Sequence, residues 1–132
     1  MKITNELLDE LSALAKANER LRINYDLRDS EKDKSQRMLN ALEPGTQIDI
    51  HRHCKSSEVV VIIRGAIREY FYDETGNITD TITLRYGNDV PMLVVPMGVW
   101  HTLECLEPDT IIFESKDGAY APLSKEDLLN IA

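Results

Sequence analysis

The feature that most constrains the fold is a series of short β-type segments that are separated by turn residues rather than by helices. From about Gln36 onward, runs such as "EVVVIIR", "AIREYFYD" and "ITDTITLR" alternate with turns that contain glycine, proline or aspartate. Strands that follow one another at such spacing, with no helices between them, form antiparallel sandwiches or barrels. The sequence therefore predicts a single, mainly β domain of this kind.

Both ends of the chain differ from this β-rich middle. Apolar residues recur at three- and four-residue spacing in the first 22 residues, which predicts an α-helix with Thr4 or Asn5 as its N-cap. Residues 24–35 are polar and predict a connecting loop, and "SKED" from Ser124 resembles a capping box that begins a short C-terminal helix. The predicted organisation is a helix and loop packed on the barrel (1–35), a β-barrel (36–122) and a helical tail (123–132).

Charge and composition exclude several classes of partner. The chain has 132 residues and a net charge of -8, whereas nucleic-acid binding normally requires a basic patch and anionic membranes attract basic segments. No apolar run approaches the roughly 18 residues of a membrane span. Acidic residues stand where a signal peptide has its apolar stretch, so we predict a cytoplasmic protein. The only two cysteines, Cys54 and Cys105, do not make a disulfide framework.

All three histidines belong to one pattern. In "HRHCKSSE", His51 and His53 are two residues apart and therefore share one face of a strand, and Glu58 opens the next strand. His101 follows a turn-like "PMGVW" near another strand. Three imidazoles and one carboxylate can hold a divalent transition metal and leave two octahedral positions open. An isolated pair of this kind is more often a surface feature, so the surrounding glycines matter.

The glycine spacing resembles the two sequence motifs of the cupin superfamily. Gly45, five residues, His51-x-His53, four residues, Glu58, six residues and Gly65 match the first motif at every position. Gly87, eight residues, Pro96-x-Gly98, two residues and His101 match the second with a longer first gap, and Cys105 stands where asparagine is common. The resemblance implies a double-stranded β-helix, or jelly-roll barrel, with His51, His53, Glu58 and His101 as ligands of one metal: zinc, iron, nickel or manganese.

A narrower resemblance covers nearly the whole chain. The segments "LRINYDL", "QRMLNALEPGT", "VPMGVWHTLE" and "FESKDGAYAP" are similar to those of the WbuC family of cupin-fold metalloproteins. Asp26 replaces an asparagine of the first signature, and Ala119 stands at a position that is often proline. This resemblance implies a role in surface-polysaccharide metabolism.

Five polar residues are the predicted substrate contacts, each with an alternative. Arg37 is the principal anchor of an anionic or sugar-derived ligand, because its planar fork meets a carboxylate or phosphate bidentately, or else it forms a salt bridge. Gln47 and Asp49 share the face of the histidines unless a β-bulge turns them outward. Asn40 belongs to the same family signature as Arg37. Tyr120 either closes over the site, as a catalytic candidate beside Glu58, or packs as an edge aromatic.

The function predicted from these residues is that of a metal-dependent enzyme acting on a small carbohydrate-derived molecule by isomerase, epimerase or lyase chemistry. The alternatives are a non-catalytic binding or sensor cupin and an Fe(II)-dependent oxygenase. The "VVV" run at 59–61 is apolar on both strand faces and predicts a homodimer or a covering helix. Cys105 is predicted to fill core volume, and Trp100 to pack against the N-terminal helix or a partner subunit.

Overall fold

Eight antiparallel strands in two sheets form the framework of the described chain. The computed structural model describes residues 1–130. The first sheet has five strands in the order β1-β2-β8-β3-β6, and the second has three in the order β5-β4-β7. The mainly β prediction is confirmed. The strands are β1 (Arg22–Asp26), β2 (Ser35–Leu42), β3 (Glu58–Arg64), β4 (Ala66–Tyr72), β5 (Ile78–Arg85), β6 (Met92–Val95), β7 (Trp100–Cys105) and β8 (Thr110–Asp117).

The space between the two sheets is filled by apolar side chains from alternate strand positions. Along β3, Val60 and Ile62 are buried while Val59 and Val61 are half-buried on the opposite face, as the two-residue period of a strand requires. Cys105 is buried in this core and its thiol donates to the carbonyl oxygen of Glu107 at 3.1 Å. Its predicted role as core volume is confirmed. The core residues are Leu42, Val60, Ile62, Ile67, Phe71, Leu84, Leu93, Val95, Cys105 and Ile112.

A second apolar cluster joins the N-terminal helix to the outside of the five-stranded sheet. The helix α1 spans Asn5–Ala17, and the hydroxyl oxygen of Thr4 accepts a hydrogen bond from the Leu7 amide at 3.2 Å as its N-cap. Its buried face packs on β1, β2 and β8. Within residues 1–130 there is no helix with the length and apolar character that crossing a membrane requires.

The chain after this helix differs from the prediction. The helix ends at Ala17, and Arg22–Asp26 forms β1, paired with β2, where the sequence predicted helix and then loop. The physical reason is that Asn18 is extended, with a φ of -83° and a ψ of 138°, which ends the helix, and that Leu21 with its positive φ of 56° then turns the chain into the sheet. Backbone pairing with β2 then outweighs the polar composition of this stretch.

A segment near the C-terminus lies beside the first histidines. Residues 46–50 form no regular strand, in contrast to the prediction, and His51 pairs only through isolated bridges with His101 and Leu128. Lys125–Asp127 forms a single 3-10 turn that Ser124 precedes without capping it, so the predicted capping box is wrong. The amide of Leu129 donates to the carbonyl of Ile50 at 2.9 Å. Residues 131–132 of the predicted tail lie outside the described residues.

Trp100 packs against an arginine rather than the N-terminal helix. Its side chain is buried, and the guanidinium carbon of Arg52 lies 4.4 Å from the centre of the ring. Arg52 is held in place by Asp127, whose carboxylate oxygen is 3.2 Å from its Nε atom. Cation–π stacking of this kind contributes about 0.5–1 kcal/mol at a partly exposed site. The helix packs on β1, β2 and β8 of the five-stranded sheet, whereas Trp100 lies in β7 of the three-stranded sheet, so that part of the Trp100 prediction is wrong.

Candidate metal centre

The three histidines converge although they come from two distant parts of the chain. The backbones of His51 and His101 exchange two hydrogen bonds, of 3.0 and 2.8 Å, and the carbonyl of His53 accepts from the Gly98 amide at 2.9 Å. One ring nitrogen from each histidine lies within 4.8 Å of the other two. This backbone pairing, rather than a continuous strand, brings the imidazoles to one point.

Hydrogen bonds orient two of the imidazoles so that their Nε2 atoms point toward one another. His51 Nδ1 lies 2.8 Å from the carbonyl oxygen of Asp49, and His101 Nδ1 lies 3.0 Å from that of Val99. Because a carbonyl only accepts, each Nδ1 carries the proton and each Nε2 offers its lone pair. The Nε2 atoms of His53 and His101 are buried and have no hydrogen-bond partner among the described residues.

Glu58, at the first position of β3, lies beside two of the three histidines. Its two carboxylate oxygens lie 3.4 Å from His53 Nε2 and 3.8 Å from His101 Nε2, and Lys116 Nζ donates to it at 3.2 Å. Burial pushes the pKa of Glu58 up, but His101 and the charge of Lys116 outweigh burial and bring the pKa down to about 2. Glu58 is therefore a buried carboxylate anion, which is the form that binds metals.

His51 and His53 are held in the neutral form that a metal requires. Burial, followed by the nearby charge of Lys116, lowers the pKa of His53 to about 4, and burial together with His101 also lowers the pKa of His51. Neutral imidazoles with free Nε2 atoms, next to an ionised carboxylate, are a donor set for a divalent transition metal. The three histidines therefore fit such an ion, and the Glu58 carboxylate lies beside two of them, His53 and His101.

These residues lie in a cavity of about 780 Å³ between the sheets. Glu69 and Glu114 also line it, and the sequence reasoning missed both. Burial and the neighbouring Glu58 raise the pKa of Glu114 to about 8, and burial followed by Glu58 and Glu114 raises the pKa of Glu69 well above its usual value. The cavity thus holds Glu114, which keeps its proton at neutral pH, and a second acid, Glu69, whose protonated form is favoured by burial, both close to one ionised carboxylate.

Three of the five predicted substrate contacts line this cavity. Asn40 is buried and its Nδ2 atom donates to Glu114 at 2.9 Å. Asp49 is exposed at the rim, and Tyr120, which is 61% exposed, also lies on the cavity wall. Tyr120 is therefore placed where it can meet a ligand that enters.

Arg37 and Gln47 lie elsewhere. Arg37 occupies the opposite face of β2 from Asn40, and its Nη2 atom lies 2.8 Å from a carboxylate oxygen of Asp33. Gln47 is exposed, does not line the cavity, and its side chain approaches only the Gly45 carbonyl. The predicted anchor role of Arg37 and the predicted contact by Gln47 are therefore wrong. Side chains three residues apart on a strand point to opposite faces, and residues 46–50 do not keep a strand's alternation.

Comparisons with known proteins agree with this fold. The family model described as "Domain of unknown function (DUF6016)" matches residues 3–84. No curated protein matches the chain. KdgF from Halomonas sp. is 14% identical with a TM-score of 0.60, and 75% of this chain covers 82% of that one. The SPY1581 protein of unknown function from Streptococcus pyogenes is 16% identical with a TM-score of 0.60, over 79% of this chain and 80% of that one.

A third similar structure is that of a manganese-containing enzyme. It is the oxalate decarboxylase of Bacillus subtilis, described for its Mn(II) centres, which is 20% identical with a TM-score of 0.57 over 83% of this chain. The chain spans only 27% of that enzyme's length. KdgF and oxalate decarboxylase are cupin-fold proteins, so the predicted cupin fold is confirmed. The narrower resemblance to the WbuC family stays a prediction.

Proposed function

Because this chain belongs to the DUF6016 domain family and has the cupin fold, we propose that it binds one divalent metal and acts as an enzyme on a small carbohydrate-derived molecule. The observation that carries the proposal is the pair of buried, unpartnered Nε2 atoms of His53 and His101, which face the Glu58 carboxylate within 4 Å. Burying such atoms without a partner costs about 1–3 kcal/mol each. A metal held by these three residues and His51 removes that cost.

The acids in the cavity favour an enzyme over a binding module. A metal at this position supplies Lewis-acid polarisation of a carbonyl or hydroxyl oxygen. An enzyme also needs a titratable group beyond the ligands, whereas a sensor needs only shape and polar contacts. Glu114 holds a proton at neutral pH, lines the same cavity and accepts a hydrogen bond from Asn40. Isomerase, epimerase or lyase chemistry requires such a proton carrier, and Tyr120 at the wall is a further candidate.

The metal proposed for this site is zinc, iron, nickel or manganese. The Mn(II) centres of the Bacillus subtilis oxalate decarboxylase support metal binding on a cupin frame. Three imidazoles and one carboxylate accept any of these ions, and availability often decides among them. With iron and two open positions, oxygenase chemistry is the competing reaction class. On the resemblance to WbuC signatures, we place the reaction in cytoplasmic surface-polysaccharide metabolism.

We still propose that the ligand is anionic, although Arg37 does not line the cavity and cannot anchor it. The protein carries a net charge of -8, so a negative ligand gains no help from the overall field and needs local positive charge. The cavity supplies that charge near the metal site, where Lys116 already contacts Glu58. Its cationic lining residues are Arg20, Arg22, Arg52, Lys55 and Lys116.

The experiment that tests the function begins with protein purified from its own host without chelators. We expect elemental analysis to find one divalent metal per chain. Sugar phosphates, nucleotide sugars and sugar acids are then screened for turnover with that metal loaded and again after chelation. Turnover that disappears with the metal supports the enzyme, and oxygen uptake with iron supports the oxygenase. Tight binding without turnover supports the sensor alternative, while metal-free protein from the host contradicts the proposal.

We also propose that a second copy of the chain covers the outer face of β3 and β6. Val59 and Val61 are half-buried there, and Met92 and Val94 on the edge strand β6 are 47% and 55% exposed. An apolar edge strand with unpaired backbone groups is suited to pairing with another chain. The helix α1 packs on β1, β2 and β8 instead.

Sedimentation equilibrium tests this dimer. We expect a mass of about twice the 15.0 kDa of the chain at micromolar concentration, and Val94→Lys should give a monomer because it places a charge in the interface. Ile78→Lys is the matched control, since Ile78 is 57% exposed on the other sheet and should leave the dimer intact. A wild-type mass near that of one chain contradicts the dimer.

A further inference from the structure

Most of the unsatisfied polar atoms in the described chain lie in one place. Among residues 1–130, six buried side-chain nitrogen or oxygen atoms have no hydrogen-bond partner. Buried polar groups are almost always paired, and each exception requires a reason. Five of the six belong to residues that line the metal cavity, and the sixth belongs to Ser12 of the helix. The five are Gln36 Oε1, Asn40 Oδ1, His53 Nε2, Glu69 Oε2 and His101 Nε2.

Two of these atoms are amide oxygens whose orientation follows from their neighbours. Gln36 Nε2 donates to the carbonyl oxygen of Gly118 at 3.1 Å, and Asn40 Nδ2 donates to a carboxyl oxygen of Glu114 at 2.9 Å. The Gly118 carbonyl only accepts, and the Glu114 oxygen that faces Asn40 accepts because the Glu114 proton is directed to Glu58, so each amide has its oxygen on the other side. Gln36 and Asn40 are 6% and 7% exposed and lie on the same face of β2. They present two fixed acceptors.

Glu69 supplies the third acceptor from the opposite sheet. It is 1% exposed and shares its face of β4 with the buried apolar residues Ile67 and Phe71. No ion pair found among residues 1–130 includes it, so no cation explains its burial. A leucine or isoleucine at this position would avoid the desolvation cost of a carboxyl group. The Oε2 atom can accept a hydrogen bond whether the group is ionised or not, provided that the proton sits on the other oxygen.

We propose that Gln36, Asn40 and Glu69 form a wall of hydrogen-bond acceptors that recognises the hydroxyl groups of a polyhydroxylated molecule held at the histidines. This inference rests on the proposed function for the metal, and it adds the substrate class and the residues that select it. Hydroxyl groups are neutral donors, which suits a cavity whose lining includes several arginines and lysines. Ammonium groups would satisfy the same acceptors but meet these cations and the metal.

The wall predicts that the site prefers a hydroxylated ligand to one of the same chain length and charge that has no hydroxyl groups. A site built to hydrogen-bond hydroxyl groups rejects an analogue that lacks them, because its own buried groups then stay unpaired. Gluconate and hexanoate have equal chain length and one carboxylate each, and differ in their hydroxyl groups. In calorimetric titration of zinc-loaded protein, we expect gluconate to bind at least about 100-fold more tightly than hexanoate.

Substitutions separate the wall from simple chelation by the metal. Asn40→Leu and Glu69→Leu should each weaken gluconate binding about tenfold or more and leave hexanoate and zinc content unchanged. Glu69→Gln keeps an acceptor at the same place and should stay within about threefold of wild type. Ser12→Ala is the matched control, because among residues 1–130 Ser12 Oγ is the one buried side-chain atom that has no partner and lies outside the cavity, and this substitution should change neither binding nor zinc content.

The outcomes distinguish this inference from the proposed function. If protein that holds zinc shows no preference for gluconate, or binds neither probe, the proposed role of the wall is wrong. A preference that Asn40→Leu and Glu69→Leu leave unchanged also overturns it, since metal chelation alone then explains the selectivity. If no zinc binds, the proposed function fails instead. In that case, saturation-transfer NMR of metal-free protein with sorbitol and hexanol tests the wall. A preference for sorbitol supports its proposed role, and no preference contradicts it.

Discussion

Replacing His51 and His101 together by alanine is expected to abolish metal binding while the protein keeps its β-rich fold. Two of the four proposed ligands are lost, and even the loss of a group that only supports a ligand lowers metal affinity about 10–100-fold. The two residues pair through their backbones, so those hydrogen bonds survive the substitutions. His101 is 2% exposed, and its truncation leaves a cavity that costs a few kcal/mol of stability. Elemental analysis after dialysis against zinc, together with circular dichroism, measures both effects.

Cys54→Ala is the control for this experiment. Cys54 is an exposed free cysteine on the cavity lining, and thiolates are strong metal ligands. Its thiol lies 3.4 Å from a carboxylate oxygen of Asp127 and donates to it, outside the group of ring nitrogens that converge. Cys54→Ala should therefore retain one zinc per chain. Stoichiometric zinc in the double histidine variant contradicts the assignment of the site.

Gly65→Ala is expected to destabilise the protein by about 2–5 kcal/mol. Gly65 joins β3 to β4 with a φ of 74°, and a Cβ atom there would lie 2.9 Å from the backbone Cα of Thr110 and 2.2 Å from its hydroxyl oxygen. The left-handed conformation costs a non-glycine residue about 1–2 kcal/mol, and overpacking adds about 1–3 kcal/mol. Thr110 cannot easily move away, because its hydroxyl oxygen accepts from the Ala66 amide at 3.2 Å. Urea unfolding of metal-free protein measures the change.

Gly87→Ala provides a matched comparison for Gly65. Gly87 has a similar φ of 83°, but a Cβ atom there would meet nothing within 4 Å. It should therefore show only the conformational cost, partly offset by the lower entropy of the unfolded chain, or about 1 kcal/mol in total. Equal effects of the two substitutions would show that the close approach to Thr110 is unimportant.

The grouping of the candidate metal ligands was predictable from the sequence, through local spacing for His51 and His53 and through the resemblance to the cupin motifs for His101. Glu58 begins β3 as expected, and His101 lies in β7. The argument from strand alternation reached the right grouping for His51 and His53, although His51 pairs only through isolated bridges and His53 lies in no strand. Spacing therefore identified which side chains meet, but not the backbone arrangement that makes them meet.

The acidic residues of the cavity were not predictable in the same way. Glu69 of the acceptor wall and its neighbour Glu114 have the sequence context of ordinary charged strand residues, and only the closed barrel removes them from water. One signal was present for Glu69, which alternates with Ile67 and Phe71 on an inward face. The same alternation shows that Arg37 and Asn40 cannot share a face of β2. Both residues were predicted to contact the substrate, but only one of them can face it.

The pairing of His51 with both His101 and Leu128 has a consequence for the order of events during protein synthesis. Chains emerge from the ribosome from the N-terminus, and contacts between distant residues can form only after the later partner appears. When His51, His53 and Glu58 have emerged from the ribosome, His101 has not yet been translated. The segment around Leu128, which pairs with the other side of His51, is translated later still. The candidate ligands can therefore meet only after His101 has been translated, when most of the described chain has already emerged. On the proposed function, the metal supply that this chain then meets decides which of several acceptable metals it binds.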